Sequence, residues 1–378
     1  MKNCENCGSA QIEELNHTIN EVAPMSDGKI VKNFQATRFI CRNCAILSTA
    51  YNPEDRLLRY FREEYDVSDL TQNNRIIVKG KMFGKHDEIH EQTLDFFKDK
   101  ESSLNDILEV ACGRGELLVK LAKQNPKAQC LGVDPSLDAN LEAKEKNVAF
   151  VSDYYHRDKF EENGRDLIVA HGFLNRIETY PTLKSFQKIL RVGGYLSIEV
   201  AHLESSPFAP HIWDHSYTYS KETFLFYLRH LGFKLEKEMD CVSTTQYVLS
   251  LEKKSDEVLK LPLAFYEENL KMYNEHLKYW EKIKENVLKM NVKEKGKRIS
   301  LFGAGLYNAV LLHLLDEAPS CVIDEFRTGD FNGLPLVDLA KATELKDEME
   351  VALCIRRNSV DFVEGKLRES GIGTTVVC

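Results

Sequence analysis

The stretch Ile107-Leu108-Glu109-Val110-Ala111-Cys112-Gly113-Arg114-Gly115-Glu116 constrains this chain more than any other. A short apolar run ending in glycines reads as a buried strand, and the segment Glu116–Lys123 after it reads as a helix. Gly113 and Gly115 between them allow backbone to approach a ligand closely, because no Cβ stands in the way. A dinucleotide fingerprint would carry three glycines and hold a pyrophosphate at the helix N-terminus. Here Ala111 replaces the first glycine, and Glu109 places an acid inside the strand end. That acid repels a pyrophosphate and suits a ligand that carries an amino group.

Such a unit needs a sheet around it, and the sequence supplies one. Short apolar runs alternate with amphipathic stretches from about residue 71 to 254. Strands are expected at Ile107–Ala111, Cys130–Asp134, Ala149–Val151, Asp166–Ala170, Tyr195–Val200, Phe233–Glu238 and Gln246–Glu252. Helices fit between them at Glu116–Lys123, Leu137–Lys146, Thr182–Leu190 and Lys221–His230. This is an α/β pattern, a doubly wound sheet with one reversed edge strand. Ser255 to Met290 reads as a long helix with Leu270, Tyr273, Leu277, Trp280, Ile283 and Val287 on one apolar stripe. After Gly296 a second, smaller α/β pattern begins, with strands at Arg298–Phe302, Ser320–Ile323, Glu350–Cys354 and Thr374–Val377. The expected division is residues 1–70, 71–254 and 255–378.

The first of these divisions holds Cys4-Glu5-Asn6-Cys7 and Cys41-Arg42-Asn43-Cys44. Four thiolates in two CxxC pairs can close a tetrahedron around zinc, and four Cys ligands leave no open position for water. Cys4, Cys7, Cys41 and Cys44 are therefore expected to hold a structural zinc, with Asp27-Gly28 as a turn in the hairpin between the pairs. The formal charge of -9 opposes a protein built to bind nucleic acid by counterion release. No apolar run is long enough to cross a bilayer, and the N-terminus has no signal-peptide core, so a cytoplasmic chain is expected. Oligomeric state leaves no mark in the sequence.

The Glu109–Gly115 stretch resembles motif I of the S-adenosylmethionine-dependent methyltransferases, which places Glu109, Ala111, Gly113 and Gly115 along the methionine and ribose of that cofactor. The resemblance implies a class I, seven-stranded methyltransferase core. Asp134, closing the next strand, would accept both ribose hydroxyls; Asp153-Tyr154 would lie near the adenine amine; His171 would lie beneath the methionine end. A nicotinamide enzyme and a methyltransferase-like scaffold without cofactor are the competing readings. Beyond the fifth strand comes an aromatic, His-rich loop, Phe208 to Ser220, expected to lie over the cofactor. His215, with Asp214 beside it and Tyr217 and Tyr219 following, either removes a proton from the methyl acceptor or only shapes a gate.

Over nearly its full length the chain resembles the sugar C-methyltransferases that alkylate carbon 3 of thymidine-diphosphate 4-keto-deoxysugars. The order of parts matches: a Cys4 zinc knot, a methyltransferase core, a bridging helix and a Rossmann-like C-terminal domain. Ile299-Ser300-Leu301-Phe302-Gly303-Ala304-Gly305, Val322-Ile323-Asp324-Glu325 and Asn332-Gly333-Leu334-Pro335-Leu336 resemble that family's C-terminal strands and loop. In the His-Glu-His plus Tyr cluster of the family, Asp214 takes the Glu position, His215 the second His, and Trp213 replaces the first. The resemblance implies a sugar-nucleotide substrate alkylated next to a ketone; oxygen methylation of a sugar nucleotide or glycan precursor is the alternative.

Overall fold

The structure, a computed structural model, describes residues 2–65, 75–78, 81–136, 146–241, 244–290 and 296–378. The helix expected at Leu137–Lys146 lies outside the described residues except for Lys146.

Near the N-terminus three antiparallel strands, β1 (Ile12–Ile19), β2 (Gln35–Cys41) and β3 (Leu47–Asn52), pair in the order β1-β2-β3. Both CxxC pairs sit at one end of this sheet, with Cys41 closing β2. The core sheet follows: β4 (Asp106–Val110), β5 (Gln129–Val133), β6 (Val148–Val151), β7 (Arg165–His171), β8 (Leu190–Val200), β9 (Phe233–Cys241) and β10 (Thr244–Leu251). Its order is β6-β5-β4-β7-β8-β10-β9. Every pairing from β6 to β8 is parallel, and β10 runs antiparallel to both of its neighbours.

The reversed strand is therefore not at the edge, as the sequence pattern suggested, but one place inside it. Burial explains the choice. Tyr247, Val248, Leu249 and Leu251 of β10 are all buried, whereas β9 is largely exposed after Phe233 and carries Lys234, Glu236, Lys237 and Glu238. A charged strand belongs on the rim, where it blunts edge-to-edge pairing. Helices α1 (Lys85–Phe97), α2 (Glu116–Gln124), α3 (Thr179–Ile189) and α4 (Lys221–His230) accompany the sheet. Ser220 caps α4, its hydroxyl accepting from the Thr223 amide.

The predicted bridging helix is α5, Leu263–Leu288. Tyr266 and Tyr273 pack into the cluster that holds the CxxC pairs and the core sheet, while Trp280, Ile283 and Val287 pack into the next cluster. That second cluster belongs to the C-terminal sheet, built from β11 (Arg298–Phe302), β12 (Val322–Ile323), β13 (Asp330–Phe331), β14 (Leu334–Val337), β15 (Met349–Leu353) and β16 (Thr374–Val376). Its order is β13-β14-β12-β11-β15-β16, parallel except at the β13/β14 hairpin. Helix α6 (Leu306–Leu314) follows β11 through Gly303-Ala304-Gly305.

One connection was not foreseen. The two-residue strand Tyr217–Thr218, in the loop between β8 and α4, pairs antiparallel with β3 of the N-terminal sheet. Arg38, 1% exposed, reinforces the join by donating to the carbonyls of His215 and Ile212 in the same loop. What the sequence presents as a free gate is stitched to the N-terminal sheet.

Candidate active site

Strand β4 ends in the turn that the sequence analysis singled out. Ala111, Gly113 and Gly115 all take positive φ, at 56°, 50° and 69°. Glycine tolerates this region without penalty; Ala111 does not, so the turn carries some strain there. The Gly113 amide donates to Asp134 Oδ2 at 2.9 Å and the Ser136 amide to Asp134 Oδ1 at 2.9 Å. Asp134 thus ties the turn to the end of β5 while keeping further lone pairs for a ligand. Burial raises its carboxyl above the ordinary range, against the pull of those two amides.

Glu109 is the more unusual acid. It is 5% exposed, and its Oε2 has no hydrogen-bond partner. Burial, with a smaller contribution from the Asp134 charge, pushes its carboxyl up to about 8. A buried carboxyl left unsatisfied is destabilising unless a ligand completes it. A cation arriving in this turn does so, and the ammonium and sulfonium of S-adenosylmethionine fit that chemistry.

Glu109, Ala111, Gly113, Asp134, Tyr154 and His171 all line one cavity of about 1330 Å³. His171 Nε2 lies 3.0 Å from Ser197 Oγ, and the Tyr154 hydroxyl donates to the Leu58 carbonyl at 2.7 Å. Gly115 stands just behind the lining, as the N-cap of α2. Asp153 does not reach the cavity, contrary to expectation. Its oxygens are taken by the Tyr154 amide and by Lys159 Nζ, both at 2.8 Å, a local cluster that turns the acid outward.

The β8–α4 loop divides in the same way. His215 and Tyr217 line the cavity. The Tyr217 hydroxyl donates to Glu5 Oε2 at 2.6 Å, and burial followed by the Glu5 charge raises its pKa far above the usual phenol value. Asp214 and Tyr219 do not line it. Asp214 is fully buried and accepts from both the amide and the hydroxyl of Ser26, with Arg176 Nε at 3.6 Å. A carboxylate at 0% exposure needs such donors, so it faces the N-terminal sheet rather than assisting His215. Tyr219 is also 0% exposed and stacks on Phe224 with ring centroids 5.0 Å apart. It is a core residue.

Several lining residues carried no signal in the sequence. Arg176 donates from Nη2 to Ser26 Oγ and to the Tyr65 hydroxyl, each at 2.8 Å, and lies over the Phe61 and Tyr65 rings. Glu199, 2% exposed, pairs in register with His171 across β7 and β8. His90 on α1 faces both; burial, followed by His171 and His86, lowers its pKa to about 3. The opposite wall comes from the C-terminal sheet: Gly303, Ala304, Asp324, Arg327 and Arg356. Gly303, Ala304 and Asp324 stand in the C-terminal motifs quoted from the sequence; Arg327 and Arg356 stand in none, and the wall joins residues far apart in the chain.

At the N-terminal CxxC pairs, one sulfur atom from each of Cys4, Cys7, Cys41 and Cys44 lies within 4.8 Å of the others. Cys4 and Cys44 are 3.7 Å apart at sulfur, Cys7 and Cys41 3.6 Å. Tetrahedral zinc with Zn–S bonds of about 2.3 Å puts its sulfurs about 3.8 Å apart, so the four fit it. Asn6 and Asn43 side-chain amides each point at a thiol sulfur at 3.5 Å, the outer hydrogen bonds a thiolate centre uses.

A seven-stranded sheet of this order, with one antiparallel strand inside the edge and an acid-bearing glycine turn after the first core strand, is a class I methyltransferase fold. Residues 82–238 match the family model described as "Methyltransferase domain". The chain is 27% identical over 119 residues to a tRNA (guanine-N(7)-)-methyltransferase of Mycoplasma capricolum, a match covering 26% of this chain and 54% of that protein. It is 29% identical over 123 residues to an uncharacterized methyltransferase of Schizosaccharomyces pombe, covering 29% of this chain and 44% of the other. The chain thus spans about half the length of these relatives. A solved structure of a putative S-adenosylmethionine-dependent methyltransferase from Listeria monocytogenes superposes with TM-score 0.38 at 12% identity, over 45% of this chain and all of that one.

Proposed function

We propose that this protein is an S-adenosylmethionine-dependent methyltransferase that methylates a nucleotide-linked deoxysugar at the carbon beside its ketone. The observation that carries the reading is the single cavity. It runs from the acid-bearing turn of the core, past His215 and Arg176, to the glycine turn of the C-terminal sheet with Arg327 and Arg356. A cationic cofactor suits one end, and the phosphates of a nucleotide carrier suit the other.

Bound in the β4 turn, the cofactor supplies an electrophilic methyl group. Glu109 would meet its ammonium and Asp134 its ribose hydroxyls, the two acids holding it in the turn. His215 accepts the proton from the sugar carbon next to the ketone. The guanidinium of Arg176, charged at every working pH, faces the oxygen on which negative charge grows. Alignment of the acceptor carbon with the methyl is the other main contribution, and such positioning supplies roughly 7–11 kcal/mol in well-ordered sites. Zinc held by Cys4, Cys7, Cys41 and Cys44 is structural in this scheme.

Incubation with thymidine-diphosphate 4-keto-6-deoxyglucose in deuterated water tests the reading. Expected are deuterium uptake beside the ketone and formation of S-adenosylhomocysteine, both lost in His215→Ala. S-adenosylhomocysteine formation without deuterium uptake would redirect the assignment to oxygen methylation.

A further inference from the structure

The sequence marks Cys4-Glu5-Asn6-Cys7 only as a metal-binding pair, yet in the structure its two middle residues lie in opposite surroundings. The Gly8 amide donates to the Cys4 carbonyl at 2.7 Å and the Cys4 amide to the Ser9 carbonyl at 2.8 Å, which closes the turn. Asn6 is buried against the core. Its Oδ1 accepts from the Tyr180 amide of α3 at 2.7 Å, and its Nδ2 donates to the Tyr227 hydroxyl of α4 at 3.3 Å. Glu5, one residue earlier, is exposed and lines the central cavity.

The Glu5 carboxylate is held at one oxygen and open at the other. Oε2 accepts from the Tyr217 hydroxyl at 2.6 Å, while Oε1 makes no hydrogen bond or ion pair among the described residues. Burial, the Glu5 charge and the hydrogen bond itself all keep the Tyr217 phenol protonated, so it remains the donor. Tyr217 is fixed in turn: its amide donates to the Asn175 carbonyl at 2.9 Å, and its carbonyl accepts from Asn175 Nδ2 at 3.0 Å. It stands two residues from His215, which lines the same cavity. Glu178, also on the lining, is already paired with Arg157 at 2.8 Å. An exposed carboxylate is hydrated while the cavity is empty and exchanges that water for a ligand hydroxyl. The phosphates of a carrier are repelled by Glu5, whereas Arg327 and Arg356 on the opposite wall suit them.

We propose that Glu5 is a specificity-determining residue supplied by the N-terminal turn: its Oε1 accepts a hydrogen bond from a hydroxyl on the sugar ring of the methyl acceptor. This rests on the acceptor class proposed above and goes further by assigning the sugar, rather than its nucleotide carrier, to this part of the chain. A carboxylate accepts and cannot donate, so the contact selects a ring that turns a hydroxyl proton toward Glu5.

The test compares wild type, Glu5→Gln and Glu5→Ala by calorimetry with S-adenosylhomocysteine, thymidine diphosphate and thymidine-diphosphate 4-keto-6-deoxyglucose. Gln still accepts from Tyr217 through its carbonyl oxygen but turns a donating amide toward the sugar. Retained S-adenosylhomocysteine affinity shows that the variants are folded. Expected are unchanged affinities for S-adenosylhomocysteine and thymidine diphosphate, with the sugar nucleotide bound about 10-fold more weakly by both variants. Equal sugar-nucleotide affinity in all three proteins overturns the role of Glu5 and leaves the proposed reaction standing. An equal loss for thymidine diphosphate and its sugar conjugate also overturns it, because the damage then lies with the carrier. Wild type that binds S-adenosylhomocysteine but neither nucleotide overturns the acceptor class, and the assignment of Glu5 with it.

Discussion

In the core, the Gly113 amide donates to Asp134 at the end of the neighbouring strand; in the C-terminal sheet, the Ala304 amide donates to Asp324 at 2.8 Å in the same manner. The second oxygen is used alike, by the Ser136 amide in one case and by the Phe326 and Arg327 amides in the other. Both turns use a positive-φ glycine before a helix, Gly113 at 50° and Gly303 at 89°. They part company four residues before the amides of Gly113 and Ala304, and at the rim. Where the core has the orphaned carboxyl of Glu109, the C-terminal strand has Ser300, its hydroxyl 2.8 Å from Ser320 Oγ. Where the core turn is open, Arg327 Nη1 donates to the Ala304 carbonyl at 2.9 Å. The same backbone plan thus carries a buried acid beside one turn and an arginine across the other.

The most severe way to probe this pair is to remove what both lean on. Chelation of zinc, or Cys41→Ser, is expected to cost the N-terminal sheet most of its stability, since structural zinc contributes roughly 10–16 kcal/mol in small domains. Metal analysis should fall from one zinc to none, and acceptor binding should vanish while cofactor binding persists. Retained acceptor binding in the metal-free protein would show that the wall is dispensable.

Next in size, Asp134→Ala should weaken S-adenosylhomocysteine binding at least about 100-fold, because ribose hydrogen bonds and the tether on Gly113 go together. Asp324→Ala should leave that affinity unchanged; if it matters equally, the two turns are not specialised. Smaller again, Arg327→Gln and Arg356→Gln should each weaken sugar-nucleotide binding about 10-fold, an effect that fades as salt is raised.

Glu109 supplies a pH signature that Ser300 cannot. An acid raised from 4.5 to about 8 on folding binds its proton more tightly folded than unfolded. The free protein is therefore most stabilised by this group below pH 4.5 and loses that contribution as pH rises toward 8. A ligand ammonium reverses the preference, so cofactor binding near pH 7 should release a proton. Calorimetry in buffers of different ionisation enthalpy reads that proton, and Glu109→Gln should abolish it. The smallest effect expected is Ala111→Gly, which relieves the positive φ and should raise stability by about 1 kcal/mol in thermal unfolding.

The core turn was legible because its chemistry is local: strand, bend, helix and the next strand's acid lie within one short segment. The convergence of the four cysteines was legible for a similar reason, since spacing alone brings each pair together. Arg176 and Glu199 were not, because their meaning depends on burial and on partners from other sheets. Asp214 and Tyr219 misled because their partners come from elsewhere in the fold: Ser26 and Arg176 claim Asp214, and Phe224 stacks on Tyr219. Asp153 misled because a neighbouring lysine claims it. Strand order inside the edge followed charge pattern, which was present in β9 but outweighed in the reading by chain order.

Helix α5 has a consequence for how this molecule breathes. Its aromatic residues are shared out between two cores, Tyr266 and Tyr273 in one and Trp280 in the other, while Trp280 Nε1 also grips the Pro207 carbonyl of the β8–α4 loop. Swinging the C-terminal sheet away from the cleft therefore means bending a continuous rod of about 39 Å or tearing out a buried indole. The helix therefore fastens the two sheets to each other at both ends, with the indole of Trp280 as the shared pin.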